Sequence, residues 1–219
     1  MLKVWNAIEE HGVQTLLSTG ITGDDAHLAK AVVDSRVKLL EPNPRAVALA
    51  RGHKGVTTMH ESENSRHEIE LKEMAKVVKG VRNPVGNDPF ITIGIPGGFT
   101  ELIPVKLEDE DFKLMSVNGA DGLHTHKSNL EDLKELGKKA HKFGLTVDAY
   151  IGHPDDLHTF GILAKTPEEV AKVAKSMGGI GVDMHSAKLS KEYYYELKAT
   201  ACNELQKKHS IDETFRVKI

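Results

Sequence analysis

The chain has 219 residues, 39% hydrophobic and 28% charged, with a formal net charge of −3. That length bounds one sizeable core and a single domain over 1–219. The slight acidic balance excludes a basic nucleic-acid face, and a lone cysteine, Cys202, excludes an internal disulfide and fits a reducing compartment.

The opening "MLKVWNAIEEHG" is too polar for a signal peptide, and no apolar run approaches the roughly 18 residues of a membrane span. The expectation is a cytoplasmic protein with a small-molecule substrate, and with no nucleic-acid or membrane partner.

In chain order, helical patterns alternate with short β-type runs. A helix over 2–11 precedes a strand at 14–19 (QTLLST), and a helix over 23–35 precedes one at 37–42 (VKLLEP). A weaker strand pattern falls at 55–60 (GVTTMH), before the polar run 60–68. Leu71, Met74, Ala75 and Val78 have helical spacing, and strands follow at 90–95 (FITIGI) and 120–125 (ADGLHT). Ser128 and Glu131 read as a capping box, with Gly144 as the stop. After the strand at 145–151 (LTVDAYI), Thr166, Pro167 and Glu169 open another helix. A strand at 180–185, a helix over 190–207 and a strand at 214–219 complete the pattern, and the sequence carries no internal repeat.

Eight strands alternating with helices suit an α/β fold of the (β/α)8 TIM-barrel type, incomplete or altered at the C-terminal strands. The faces of the strands favour it over a doubly wound sheet. Val147, Ala149 and Ile151 share an apolar face, opposite Thr146, Asp148 and Tyr150. Ile91, Ile93 and Ile95 likewise oppose Phe90, Thr92 and Gly94. A doubly wound sheet needs both faces apolar.

Polar residues gather where the strands are expected to end: Glu41, then His124 and His126, then Asp148, then Asp183 with His185. Barrel active sites lie at that end. Imidazoles and carboxylates around one point suit a divalent metal (Mg, Mn or Zn) or metal-free proton transfer by a His–Asp pair. The expected catalytic set is His124, Asp148, Asp183 and His185, with Glu41, His124 and His126 as metal ligands. His124 lies deeper in its strand, and His126 nearer the turn.

The glycine-rich turns "STGITG" (18–23) and "GIPGG" (94–98) could cradle a phosphate through backbone N–H groups. Ser18, Gly97 and Gly98 in them, with Asn43, are the expected substrate contacts. "IGHPDDLHTFG" (151–161) offers His153, Asp155, Asp156 and His158 as further ligands, a lid or a polar turn.

"VKLLEPNPRAVALARG", "GADGLHTHKSNLEDLKELGKKAHKFGLTVDAYIG" and "TPEEVAKVAKSMGGIGVDMHS" resemble the ribulose-phosphate-binding barrels, in particular the hexulose-phosphate synthase and ketogulonate-phosphate decarboxylase group. The resemblance is diffuse and spans about residues 13–186. It implies that Glu41 holds Mg²⁺ and that His124 sits near the substrate. The group's third-strand Asp-x-Lys-x-x-Asp has no match in "FITIGIPGG". Gly178 and Gly179 precede their strand, at the wrong end to grip a phosphate.

Three functions follow as expectations. The first is a lyase or isomerase on a small phosphorylated or carboxylated sugar, through a metal-stabilised enediolate. The others are a metal-dependent hydrolase and a non-catalytic barrel relic or assembly protein. The C-terminal run alternates Phe215, Val217 and Ile219 with Arg216 and Lys218: either an open barrel edge that a partner chain covers, as in a homo-oligomer, or a barrel strand that places two cations inside to grip a phosphate.

Overall fold

The computed structural model describes residues 2–12, 18–21, 25–42, 47–48, 50–52, 68–95, 106–154 and 161–187. Their elements run α1 (Leu2–His11), β1 (Ser18–Ile21), α2 (Ala26–Asp34), β2 (Leu39–Pro42), α3 (Leu71–Val85), β3 (Phe90–Gly94), α4 (Asp109–Val117) and β4 (Gly122–Thr125). Then come α5 (Leu130–Lys142), β5 (Thr146–Gly152), β6 (Ile162–Leu163), α6 (Pro167–Gly179) and β7 (Met184–Ala187). Among the described residues no helix is long and apolar enough to cross a membrane.

Every strand pairing among these residues is parallel. The order is β1-β2-β3-β4-β5, with β7 on β5 and the short β6 beside the last residues of β5. The Gly161 N–H, just before β6, donates to the His126 carbonyl, just past β4.

The register sorts the side chains into two faces. Leu40, Ile91, Ile93, Leu123, Val147, Ala149 and Ile151 are buried in one core with Met74, Val78, Phe112, Leu133 and Ala140 of the helices. The opposite face carries Thr92, Gly122, His124, Thr146 and Asp148, because Thr92 pairs with Gly122, and His124 with Asp148. Apolar residues thus meet the helix layer, and polar ones line the other side, as a parallel barrel requires.

One turn recurs where helices enter strands. Arg36, Gly119, Gly144 and Gly181 all have positive φ. Each donates its N–H three residues back, and the next residue donates five back: Val37 to Val32, Ala120 to Met115, Leu145 to Ala140 and Val182 to Met177. This Schellman closure satisfies the last carbonyls of the helix and seats one apolar side chain under it. The repeat is one of backbone geometry, which the sequence does not display.

Two aspartates follow these turns and tie down neighbouring strands. The Asp121 N–H donates to the Ile91 carbonyl, and its carboxylate accepts the Ile91 N–H at 2.9 Å. Asp183 does the same to Val147, at 2.8 Å, and also meets His141 at 2.8 Å. Arg82 of α3 locks the first turn: its guanidinium donates to the carbonyls of Gly86, Pro89 and Gly119 and to the Asp121 carboxylate at 2.6 Å. Lys3 of α1 reaches the same carboxylate at 2.8 Å.

Several expectations need correction. The strand expected at 180–185 is β7, four residues later: Ile180 caps α6 and Val182 belongs to the turn. Asn129, not Ser128, caps α5, its side chain accepting the Asp132 N–H. Thr166 caps α6 as expected. The helix α4 is an addition, started by Glu108 and an acidic first turn. β2 pairs directly with β3. The expected elements at 55–60, 190–207 and 214–219, like residues 14–17, lie outside the described residues.

Gly144→Ala tests the turn in isolation. A Cβ there would meet nothing within 4 Å, so its cost is backbone strain alone, about 1 kcal/mol. Arg36→Gly relieves that strain and is expected to raise the denaturation midpoint. Denaturant melts measure both, and an unchanged Gly144→Ala midpoint would count against this account.

Candidate active site

β4 and β5 run side by side, with His124 directly opposite Asp148. Both side chains leave the strands on the polar face, and they are only 9% and 10% exposed. His124 Nδ1 lies 2.9 Å from Asp148 Oδ2. His126, one residue past β4, turns back over its neighbour: the two Nε2 atoms are 3.1 Å apart. Tyr150, two residues after Asp148, packs edge-on against both rings, with centroids 6.4 Å from His124 and 5.4 Å from His126.

Donor and acceptor roles at these two contacts follow from the charge of Asp148. An ionised Asp148 only accepts, so His124 carries its proton on Nδ1. A single proton then lies between the two Nε2 atoms. With it on His126, both rings are neutral. With it on His124, that ring is an imidazolium against a buried carboxylate, and His126 stays neutral only when its other ring nitrogen has taken up a proton. A proton gained on His126 Nδ1 lets the Nε2 proton pass to His124, where the negative Asp148 stabilises the charge.

The remaining expected residues are not brought to this point. Glu41 shares the polar face, since Leu39 pairs with Phe90 and each lies two residues before Glu41 or Thr92. It sits two strands from His124 and two residues nearer the N-terminal end. Asp183 precedes β7, at the N-terminal end of the sheet, where it caps Val147. His185 pairs with Ala149, which puts it on the opposite face from His124 and Asp148, and it is exposed. Ser18 pairs with Leu39, level with Phe90, about 13 Å along the strands from the His124 row. Asn43, Gly97 and Gly98, and Asp155, Asp156 and His158, lie outside the described residues. His153 is buried just past β5.

A catalytic zinc takes three protein ligands, and a structural one four. Among the described residues no three of His, Cys, Asp or Glu come together to hold a metal. The expected trio of Glu41, His124 and His126 does not assemble there, because Glu41 stands two strands away. The two imidazoles supply a pair of nitrogens to one point, and among the described residues no third donor joins them.

Tyr150 and Thr92 were not among the expected site residues. Their signal is the period of two: Tyr150 shares the Asp148 face, and Thr92 is two residues from the Gly94–His124 pair.

No protein-family model matches the chain, and no curated protein matches it. Solved structures do. A putative phosphonomutase from Burkholderia cenocepacia J2315 aligns over 95% of this chain and 98% of its own, at 13% identity and TM-score 0.55. The tryptophan synthase alpha chain from Legionella pneumophila subsp. pneumophila aligns over 91% and 72%, at 17% identity and TM-score 0.54. The chain has a (β/α)8-barrel-like fold. A 2,3-dimethylmalate lyase, a PEP mutase/isocitrate lyase superfamily member, aligns over 93% of this chain at 14% identity and TM-score 0.54. This chain spans 66% of that lyase, less than two thirds of its length. At such identities the likeness establishes the fold and nothing of the reaction.

The His124–Asp148 contact carries a stability prediction. Asp148→Ala removes the acceptor of a buried imidazole N–H and is expected to cost about 1–3 kcal/mol. Asp148→Asn, which keeps a carbonyl acceptor, should cost less. Denaturant titration ranks the two, and equal, negligible losses would contradict the buried pair.

Proposed function

We propose that the protein is an enzyme, a lyase or isomerase acting on a small phosphorylated or carboxylated sugar. The observation that carries this is the row Asp148–His124–His126, buried at one end and half-buried at the other, towards the C-terminal ends of parallel strands. Active sites of this fold occupy that end. Two of the solved barrels it resembles are named a lyase and a phosphonomutase.

The chemistry is proton transfer beside a carbonyl. A C–H bond next to the carbonyl breaks, and its electron pair moves into the carbonyl to give an enediolate. The proton arrives on the second ring nitrogen of His126. The proton on His126 Nε2 passes to His124 Nε2, and the new charge rests against Asp148. Return of the proton to the neighbouring carbon completes an isomerisation, and loss of a group from the enediolate completes a lyase reaction. A divalent metal, which the resemblance to the hexulose-phosphate synthase group implies on Glu41, needs donors that the described residues do not bring together. No step therefore runs through one.

The test is exchange of substrate C–H for deuterium in D2O, followed by NMR. The panel is ribulose 5-phosphate, xylulose 5-phosphate, fructose 6-phosphate and 6-phosphogluconate. At least one member should exchange with wild type, and His124→Gln and His126→Gln should each slow it by about 10²–10⁴-fold. Exchange at the wild-type rate in both variants would sink the relay. No exchange and no ligand-induced thermal shift with any member would sink the substrate class.

A further inference from the structure

The strand register places a second polar pair beneath the relay. Thr92 Oγ1 is buried, with its residue only 7% exposed, and among the described residues it has no hydrogen-bond partner. By register it lies beside Glu41 on the adjacent strand, because Leu39 pairs with Phe90 and Leu40 with Ile91. Glu41 is half-buried, and among the described residues no hydrogen bond or ion pair reaches its carboxylate. Neighbouring strands lie about 4.8 Å apart, so the two groups could share one ligand atom.

The register also gives their neighbours. Thr92 pairs with Gly122, where a Cβ would come within 2.4 Å of Thr146 Oγ1 and 3.0 Å of a Phe90 ring carbon. Phe90, buried, closes the layer below. Two residues further along, Gly94 pairs with His124. Thr92 and Glu41 thus form a polar shelf between an apolar floor and the histidines. The Thr146 hydroxyl in that layer donates to the Asp121 carbonyl at 3.3 Å and is satisfied, while the Thr92 hydroxyl is not.

Burying a hydroxyl without a partner is costly, so its retention calls for a partner that arrives from outside the chain. A hydroxyl can donate and accept, and an ionised carboxylate accepts. The ligand group that satisfies both is itself a hydroxyl, accepting from Thr92 and donating to Glu41. We propose that Thr92 is a substrate-positioning residue: with Glu41 it holds a hydroxyl of the bound sugar one layer beneath His124. This rests on the sugar reading above. It assigns Glu41 to hydroxyl recognition, and it makes Thr92 a determinant of specificity for hydroxylated over deoxygenated substrates.

The experiment compares full-length wild type with Thr92→Val, Thr92→Ser and His124→Gln by calorimetric titration with the four sugar phosphates, beside unliganded thermal melts. Thr92→Val is expected to weaken the tightest-binding member about tenfold and to leave the unliganded midpoint unchanged or higher. Thr92→Ser should bind within about threefold of wild type. His124→Gln should bind like wild type while losing deuterium exchange. Wild-type affinity in Thr92→Val would overturn the assignment of Thr92 and leave the sugar reading standing. So would a lowered unliganded midpoint with unchanged affinity, the mark of a buried structural water. Binding that requires added Mg²⁺ and disappears in Glu41→Gln would overturn it in favour of a cation on the shelf. No binding of any member to wild type would overturn both proposals together.

Discussion

The phase in which each strand leaves its helix governs everything else in this chain. A strand that slips by one residue sends every side chain to the opposite face. Here the phase is set at the four closures on Arg36, Gly119, Gly144 and Gly181, each of which spends one positive φ and one apolar side chain before the strand begins. Gly119 is further fixed by Arg82, whose Cγ would lie 2.7 Å from any added Cβ. Asp121 and Asp183 then hold the strand starts in register through paired hydrogen bonds. Because of that register His124 meets Asp148 on the inner face, and Leu123 and Val147 meet the helices.

The molecule divides its polar residues between two ends of the sheet. At the N-terminal end, charges are saturated: Asp121 serves Lys3, Arg82 and a backbone N–H, and Asp183 serves His141 and another. Saturated, partly buried networks contribute to the fold and its register. Along the inner face two imidazole nitrogens lie 3.1 Å apart, the distance of a shared proton. An unsatisfied hydroxyl below them is the sort of local cost that a binding site carries and a purely structural barrel would have removed.

Much of this was legible in the sequence, for reasons that apply to particular residues. The alternation in 145–151 and 90–95 separates the two faces because the strand period is two, and Asp148 falls where it was expected. The Thr166–Pro167–Glu169 start reads directly because a helix N-terminus needs local acceptors for its free N–H groups. Asp183 and His185 were misplaced because Ile180 and Val182 alternate like a strand, yet the first caps a helix and the second fills its closing turn. The stop signal, Gly181, lies between them. Glu41 reads as a strand-end residue, but its separation from His124 does not, since the number of intervening strands is a long-range property. His126 reads as a turn residue, and only the fold brings it back onto His124. α4 was missed because its acidic first turn outweighs its two buried residues, Phe112 and Met115.

The central claim is that Asp148, His124 and His126 form one proton-sharing unit. Long-range ¹H–¹⁵N NMR of the two rings tests it most directly, through their tautomers and their titration. The account predicts a proton on His124 Nδ1 throughout, and a single proton taken up jointly by the two rings, so that both change shift together. A His124 ring protonated only at Nε2, or two rings that titrate independently, would contradict it.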